Sequence, residues 1–137
     1  MTRFLLALLL VSSLTGCKKI KENIQEKKVL DFITTGQWKV ASLIKGGADY
    51  SADFSSYQFQ FKSNNTVDAI KSGVVQKSGS WEGDAINYTI KSSFPADAQL
   101  PLPYLNGTWQ ITDGGTDFVV ASKTENGVIS SLRLEKV

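Results

Sequence analysis

Hydrophobic and polar residues alternate with a period of two along most of the chain after residue 36. The clearest segment is 56–62, in which Tyr57, Phe59 and Phe61 share one face and polar side chains share the other. Short runs of Gly, Asn, Asp and Ser separate eight such segments. The pattern predicts eight strands, over residues 37–44, 56–62, 66–71, 74–81, 85–91, 105–112, 116–122 and 128–135.

Nearly all the connections between these strands have the length of a hairpin turn. All three prolines fall in residues 92–104, which we therefore expect to form the one long connection. The fold class predicted is all-β, an eight-stranded up-and-down antiparallel meander barrel, because closure leaves no unpaired edge. An open sandwich is the alternative. In the segment 85–91 the alternation places Ile86, Tyr88 and Ile90 on the inner face.

The residues before the first strand have a different pattern. In residues 18–34, Ile20, Ile24 and Lys28 recur at helical spacing, which predicts a tether running into a short N-terminal helix. Residues 17–30 carry five lysines against two glutamates, a net charge of +3. Such a segment either rests on anionic headgroups or is a solvated tether. We therefore expect a tether and short helix over 17–30 and the barrel over 31–137.

Residues 1–16 have the order of a secretory signal peptide: a positive charge, an apolar run too short to span a bilayer, and small residues. Leu14-Thr15-Gly16-Cys17 is similar to the lipobox of bacterial lipoproteins. That resemblance implies cleavage after residue 16 and attachment of acyl chains such as palmitate to Cys17, which would anchor the protein to a membrane. An ordinary signal peptide with a chance cysteine is the alternative, but Cys17 is the only cysteine and lies where the motif requires it.

The composition excludes several kinds of chemistry. The chain has no histidine and no second cysteine, so it lacks Ser-His and Cys-His nucleophile pairs and His-ligated zinc. The carboxylates lie mostly in predicted turns and form no catalytic or calcium-binding pattern. We expect a protein that is not an enzyme, with no metal and no cofactor. The near-neutral charge of residues 31–137 offers no surface for nucleic acid.

A Gly-x-Trp triplet occurs three times and ends at Trp38, Trp81 and Trp109. Packing is the simplest role for these indoles, because the glycine two residues earlier lies on the same face of the strand and lets the large ring fold over it. The first and last strands of a closed barrel are neighbours, so we expect the guanidinium of Arg133 to stack on Trp38 as a structural plug. The chain resembles the calycins in two features, Gly-x-Trp on the first strand and a cation from the last strand. Together with the lipobox, these features resemble the lipocalin-like lipoproteins of the Bacteroidetes type.

The resemblance implies a membrane-anchored barrel that binds a small apolar ligand, or a protein partner of the cell envelope, at its open end. The candidate ligand-binding residues are the aromatic residues expected to point inward: Tyr57, Phe59, Phe61, Tyr88 and Trp109. The alternative is a solid-core structural or interaction lipoprotein with no small-molecule ligand. Lysines rather than acids follow Cys17, which favours the periplasmic side of a membrane. We expect the outer membrane with the protein facing the periplasm, and the inner membrane is the alternative.

Overall fold

The structure, a computed structural model, describes residues 30–137. The described chain begins with a short helix, α1, over residues 30–34, and continues into strands joined by turns and two 3-10 helices, Ser51–Phe54 and Leu102–Leu105. The strands within residues 30–137 are β1 Trp38–Lys45, β2 Ala48–Asp49, β3 Tyr57–Phe61, β4 Thr66–Lys71, β5 Val74–Asp84, β6 Thr89–Ser93, β7 Gly107–Gly114, β8 Phe118–Glu125 and β9 Val128–Lys136.

The strands pair antiparallel in the order β1-β3-β4-β5-β6-β7-β8-β9, and β9 pairs back with β1 along nearly its whole length. The sheet is therefore a closed eight-stranded up-and-down barrel, as the sequence predicts. β2, which the sequence does not predict, is a two-residue strand beside the end of β1. We call the end of the barrel that carries α1 the helix end, and the end that carries the proline-rich connection the proline end.

Three tryptophans close the two ends of this barrel. Trp38, Trp81 and Trp109 are all buried, which confirms that they are core residues. Each indole Nε1–H donates to a backbone carbonyl of a connecting segment: Trp38 to Ile33 at 3.0 Å, Trp81 to Lys62 at 2.9 Å and Trp109 to Leu105 at 2.9 Å. Since a buried indole N–H needs a partner, each tryptophan ties a loop or helix to the barrel that it fills.

The predicted stacking of Arg133 on Trp38 is wrong. Leu132 and Leu134 point inward, so Arg133 between them points outward, where its guanidinium lies 4.5 Å from the ring centroid of Phe118. The cation above Trp38 is instead Lys136, whose Nζ is 5.4 Å from the indole centroid. The register explains the exchange, because Lys136 on β9 is the residue paired directly with Trp38 on β1.

The strand predicted over 85–91 begins later, at Thr89, and residues 85–88 form a turn. The carboxylate of Asp84 accepts hydrogen bonds from the backbone N–H groups of Ile86 and Asn87, both at 3.0 Å. Tyr88 then adopts a left-handed conformation, with φ of 54°. This turn breaks the alternation, so Ile86 and Tyr88 are exposed and the prediction that they point inward is wrong; Ile90 is buried as predicted.

The predicted signal peptide over 1–16, the acylated Cys17 and the tether up to residue 29 lie outside the described residues. In residues 30–137 no helix has both the length and the apolar character needed to cross a membrane.

Candidate binding site

The interior of the barrel is almost completely filled. The side chains that point inward leave a void of only about 30 Å³ near its centre. Such a space is enough for a few water molecules at most. Among the lining residues are Phe59, Phe61, Leu105 and Trp109, all buried. The interior as it stands therefore has no room for a small-molecule ligand, which typically needs some 300 Å³ or more.

A much larger apolar groove opens at the helix end. Its volume is about 490 Å³, within the range of small-molecule sites. α1, the turn between β5 and β6, and the turn between β7 and β8 form its walls. The residues that line it include Phe32, Asp84, Tyr88, Ile111, Asp113 and Gly114.

Trp38 and Lys136 hold α1 in place as one wall of this groove. The backbone carbonyl of Ile33 accepts the indole N–H of Trp38, and the ring of Phe32 meets that indole edge-on with centroids 5.4 Å apart. The ammonium of Lys136 lies 4.4 Å from the centroid of the Phe32 ring, on the side where it also covers Trp38. The helix is short, so these tertiary contacts rather than its own hydrogen bonds determine its position.

Hydrogen bonds also fix the β5–β6 turn. In addition to its two backbone hydrogen bonds, the carboxylate of Asp84 accepts from the Asn87 side chain at 2.7 Å. These bonds, with that from the Asn87 side chain first, lower the pKa of Asp84, so its carboxylate is ionised at neutral pH. The backbone carbonyl of Tyr88 accepts from the N–H of Ile111 at 2.7 Å and from the Gln110 side chain at 3.1 Å. The turn is thus tied to β7 as well.

The opposite wall owes its open space to glycine. Gly114 pairs with Val119, whose side chain lines the groove, and cross-strand partners share a face of the sheet. A side chain at position 114 would therefore point into the groove, and its Cβ would meet nothing closer than the Phe118 carbonyl oxygen, at 3.6 Å. Next to it, Asp113 Oδ1 accepts the backbone N–H of Gly114 at 2.9 Å.

Two side chains separate the groove from the central void. Ile90 and Val119 line both spaces, and both residues are buried. The groove is therefore an opening at the helix end whose floor is formed by these two residues, and the packed core begins beneath them.

The five aromatic residues predicted to bind a ligand do not come together in one site. Phe59, Phe61 and Trp109 line the small central void, and Tyr88 lines the groove. Tyr57 lines neither; it is half-buried and stacks on Phe59, with the Nζ of Lys71 5.5 Å from its ring centroid. Whether any of the five contacts a ligand stays a prediction, but only Tyr88 lies where a ligand has room.

Most of the groove residues could not be predicted from the sequence. The sequence pattern places Phe32 only within the helical segment 18–34, and Ile111 only within the strand 105–112. The Gly114-Gly115 pair was interpreted as a turn signal, although it also marks a place where the end of the sheet carries no side chains. The proposed packing of the indoles over the triplet glycines is also wrong. A Cβ on Gly79 would meet the carbonyl oxygen of Ser93 at 2.6 Å, and one on Gly107 would clash with Glu125.

Comparison with known proteins supports the fold and leaves the function open. No protein-family model matches the chain, and no curated protein matches it in sequence. In three dimensions it is similar to a DUF4847 family protein from Bacteroides vulgatus whose crystal structure has been solved, with a TM-score of 0.54. The two are 13% identical, and the match covers 78% of this chain and 96% of that one. At this identity the likeness shows a shared fold and nothing about a ligand.

Proposed function

We propose that this protein is a membrane-anchored, lipocalin-like binding protein without enzymatic activity, which holds a small apolar molecule in the groove at the helix end. The observation that carries the proposal is the contrast in volume, about 490 Å³ in the groove against about 30 Å³ in the interior. The groove combines apolar walls with a few polar groups at its rim, which is the usual composition of small-molecule sites.

The chemistry of the chain supports binding rather than catalysis. The sequence has no histidine, and residues 30–137 contain no group of three or more side chains placed to hold a metal ion. Asp84 and Asp113, the two carboxylates that line the groove, accept hydrogen bonds from their own turns. In the described part of the chain, neither is paired with a basic side chain, because no lysine or arginine nitrogen lies within 4.0 Å of either carboxylate.

A fluorescence titration with N-phenyl-1-naphthylamine, a neutral apolar probe, tests the proposal. The protein is the mature chain with Cys17→Ser, which carries no acyl chain and needs no detergent. We expect saturable binding with one site and a Kd on the order of 10 μM. The variant Gly114→Leu places a side chain in the groove and should weaken binding by about tenfold or more, since it removes apolar contact area.

Thr108→Leu is the matched control, because it adds a leucine to the exposed outer face of the same strand. It should bind the probe as the parent chain does. Absence of saturable binding, or equal loss in both variants, would count against a ligand site in the groove.

The anchor is tested separately. We expect the native chain to fractionate with membranes, because two or three acyl chains hold a protein firmly in a bilayer. The Cys17→Ser chain carries no acyl chain and should be released. Protease treatment of intact cells should leave the protein uncut if it faces the periplasm from the outer membrane. Release of neither form, or of both, would contradict lipid anchoring through Cys17.

A solid-core interaction protein is the second candidate, and the filled interior is the observation that favours it. In that case the barrel would serve only as a rigid support for a protein partner of the envelope. The two candidates differ in the probe titration, because a solid-core protein shows no saturable site. Crosslinking in cells should then capture one defined protein neighbour, and failure to capture any would count against this second function.

A further inference from the structure

The polar lining of the groove has one sign of charge. Of the residues that line it, only Asp84 and Asp113 are charged at neutral pH, and both are acidic. Within residues 30–137, no lysine or arginine nitrogen lies within 4.0 Å of either carboxylate. The Nζ of Lys136 lies 4.4 Å from the centroid of the Phe32 ring, but Lys136 is not among the lining residues.

These carboxylates have a role in their turns, but that role does not require their charge. Asp113 Oδ1 accepts one backbone N–H, and Asp84 accepts two backbone N–H groups and one side-chain amide. The amide oxygen of asparagine can accept the same backbone bonds. The negative charges therefore remain at the rim after the turns are satisfied.

Two aromatic rings lie in the same groove. Phe32 lines it from α1 and already has the Lys136 ammonium 4.4 Å from its ring centroid, whereas Tyr88 lines it from the β5–β6 turn with more than half of its surface exposed, so the open ring is that of Tyr88. The faces of aromatic rings attract cations, above all alkylammonium groups that are weakly hydrated. Carboxylates, aromatic rings and an apolar floor in one groove form the combination of groups that suits an ammonium group attached to an apolar tail.

We infer that the groove selects a small cationic amphiphile, an alkylammonium or aromatic amine, over a neutral analogue and over an anionic one such as a fatty acid. This inference rests on the proposed function, because it names the ligand class of the same groove. The apolar part of the ligand packs on Ile111 and on the floor formed by Ile90 and Val119. Its ammonium group lies at the rim beside Asp84, Asp113 and the ring of Tyr88.

Displacement of bound N-phenyl-1-naphthylamine from the mature Cys17→Ser chain tests the inference. Three competitors share a ten-carbon tail and differ in the head: decyltrimethylammonium, decanol and decanoate, each used below its aggregation limit at pH 8 and low salt. We expect decyltrimethylammonium to displace the probe at a concentration about tenfold or more below that needed with decanoate, with decanol between them. Added salt should narrow the gap, because these carboxylates are exposed.

The double variant Asp84→Asn/Asp113→Asn removes both charges and keeps an oxygen that accepts the backbone N–H bonds of each turn. At position 84 the bond from the Asn87 side chain is kept only if that amide turns its oxygen toward the new NH2 group. The double variant should still bind the neutral probe, while the preference for the cation over the anion falls to within about threefold. Asp53→Asn is the control, since it removes one exposed carboxylate at the proline end and should leave the preference unchanged.

The outcomes separate this inference from the function on which it rests. If the neutral probe binds and decanoate displaces it as well as the cation does, the charge selection is wrong and the groove remains a binding site. An unchanged preference in the double variant also overturns the inference, because the two carboxylates would then not be its source. If the probe does not bind at all, the proposed function itself has failed.

Discussion

The interior of the barrel and the groove at its helix end are built from the same strands, but only one of them has space. Inside, large side chains from β3, β6 and β7 meet across the barrel and leave about 30 Å³. At the helix end, β7 finishes in Gly114 and β5 in a turn, and the groove of about 490 Å³ opens between them and α1. A barrel with eight strands is just wide enough for its own side chains to fill.

The difference between the two regions shows what controls space in a small barrel. In the interior, Trp38, Phe59 and Trp109 are each at most 2% exposed, so large side chains fill the space. At the helix end two of the three walls are a glycine pair and a turn fixed by hydrogen bonds, and both occupy little volume. A ligand site in such a fold belongs where side chains are small and the backbone is fixed, rather than at the centre.

The largest expected effect comes from opening the interior. Phe59→Ala removes a core ring that is 2% exposed and should lower the free energy of unfolding by about 3–5 kcal/mol. Chemical denaturation measures this change. The control variant Ser131→Ala, on the outer face, should have a free energy of unfolding within about 0.5 kcal/mol of the parent's. The variant should also take up xenon in its new cavity, as dry apolar cavities do. A loss under 1 kcal/mol would mean that the interior is not closely packed.

The second largest effect concerns Asp68, which lies in the barrel wall and not in the groove. The buried carboxylate of Asp68 lies 2.6 Å from Lys62 Nζ and accepts from Ser78 Oγ at 2.7 Å. The hydrogen bond from Lys62, then that from Ser78, lowers the pKa of Asp68 in the folded protein. Its contribution to stability is therefore complete above the unfolded pKa of about 4 and is lost as the pH falls through the folded pKa.

Asp68→Asn should lower the free energy of unfolding by about 1–3 kcal/mol at pH 7, because the charge-assisted hydrogen bond from Lys62 is lost. Urea denaturation at pH 7 and at pH 3 measures the difference in stability between the parent and the variant, which should be smaller at the lower pH. Binding of the neutral probe at pH 7 should be unchanged, since Asp68 is not in the groove. A difference in stability that persists in full at pH 3 would contradict this assignment.

The smallest effect concerns the wall formed by α1. Lys136→Met removes the cation that covers Phe32 and Trp38 and should lower stability by about 0.5–1 kcal/mol, as for other exposed cation–π contacts. Lys91→Met, at an exposed position on β6, is the control and should have no effect. Thermal unfolding of both variants gives the comparison. Equal melting temperatures for Lys136→Met and the parent would show that Lys136 does not hold the helix wall.

The alternation of residues was sufficient to predict the fold but not the site. The strand over residues 128–135 and the antiparallel order were predictable, because buried and less buried residues alternate in that strand. At residues 85–88 the same alternation failed, since Asp84 and Asn87 fold a turn whose local hydrogen bonds override it. The partner of Trp38 depended on register, which places Lys136 opposite it, and register is not encoded in either strand alone. The groove joins three segments distant in the chain, so no local pattern predicted it.

Methyl NMR of the isotope-labelled mature Cys17→Ser chain, titrated with N-phenyl-1-naphthylamine, tests the central claim most directly. The claim is that the groove binds an apolar molecule and the interior does not. The methyl groups of Ile33 and Ile111, which line the groove, should shift with the probe concentration, and those of Val67 and Leu132, which line the central void, should not. Shifts centred on Val67 and Leu132, or no saturable shift at any methyl group, would contradict the account.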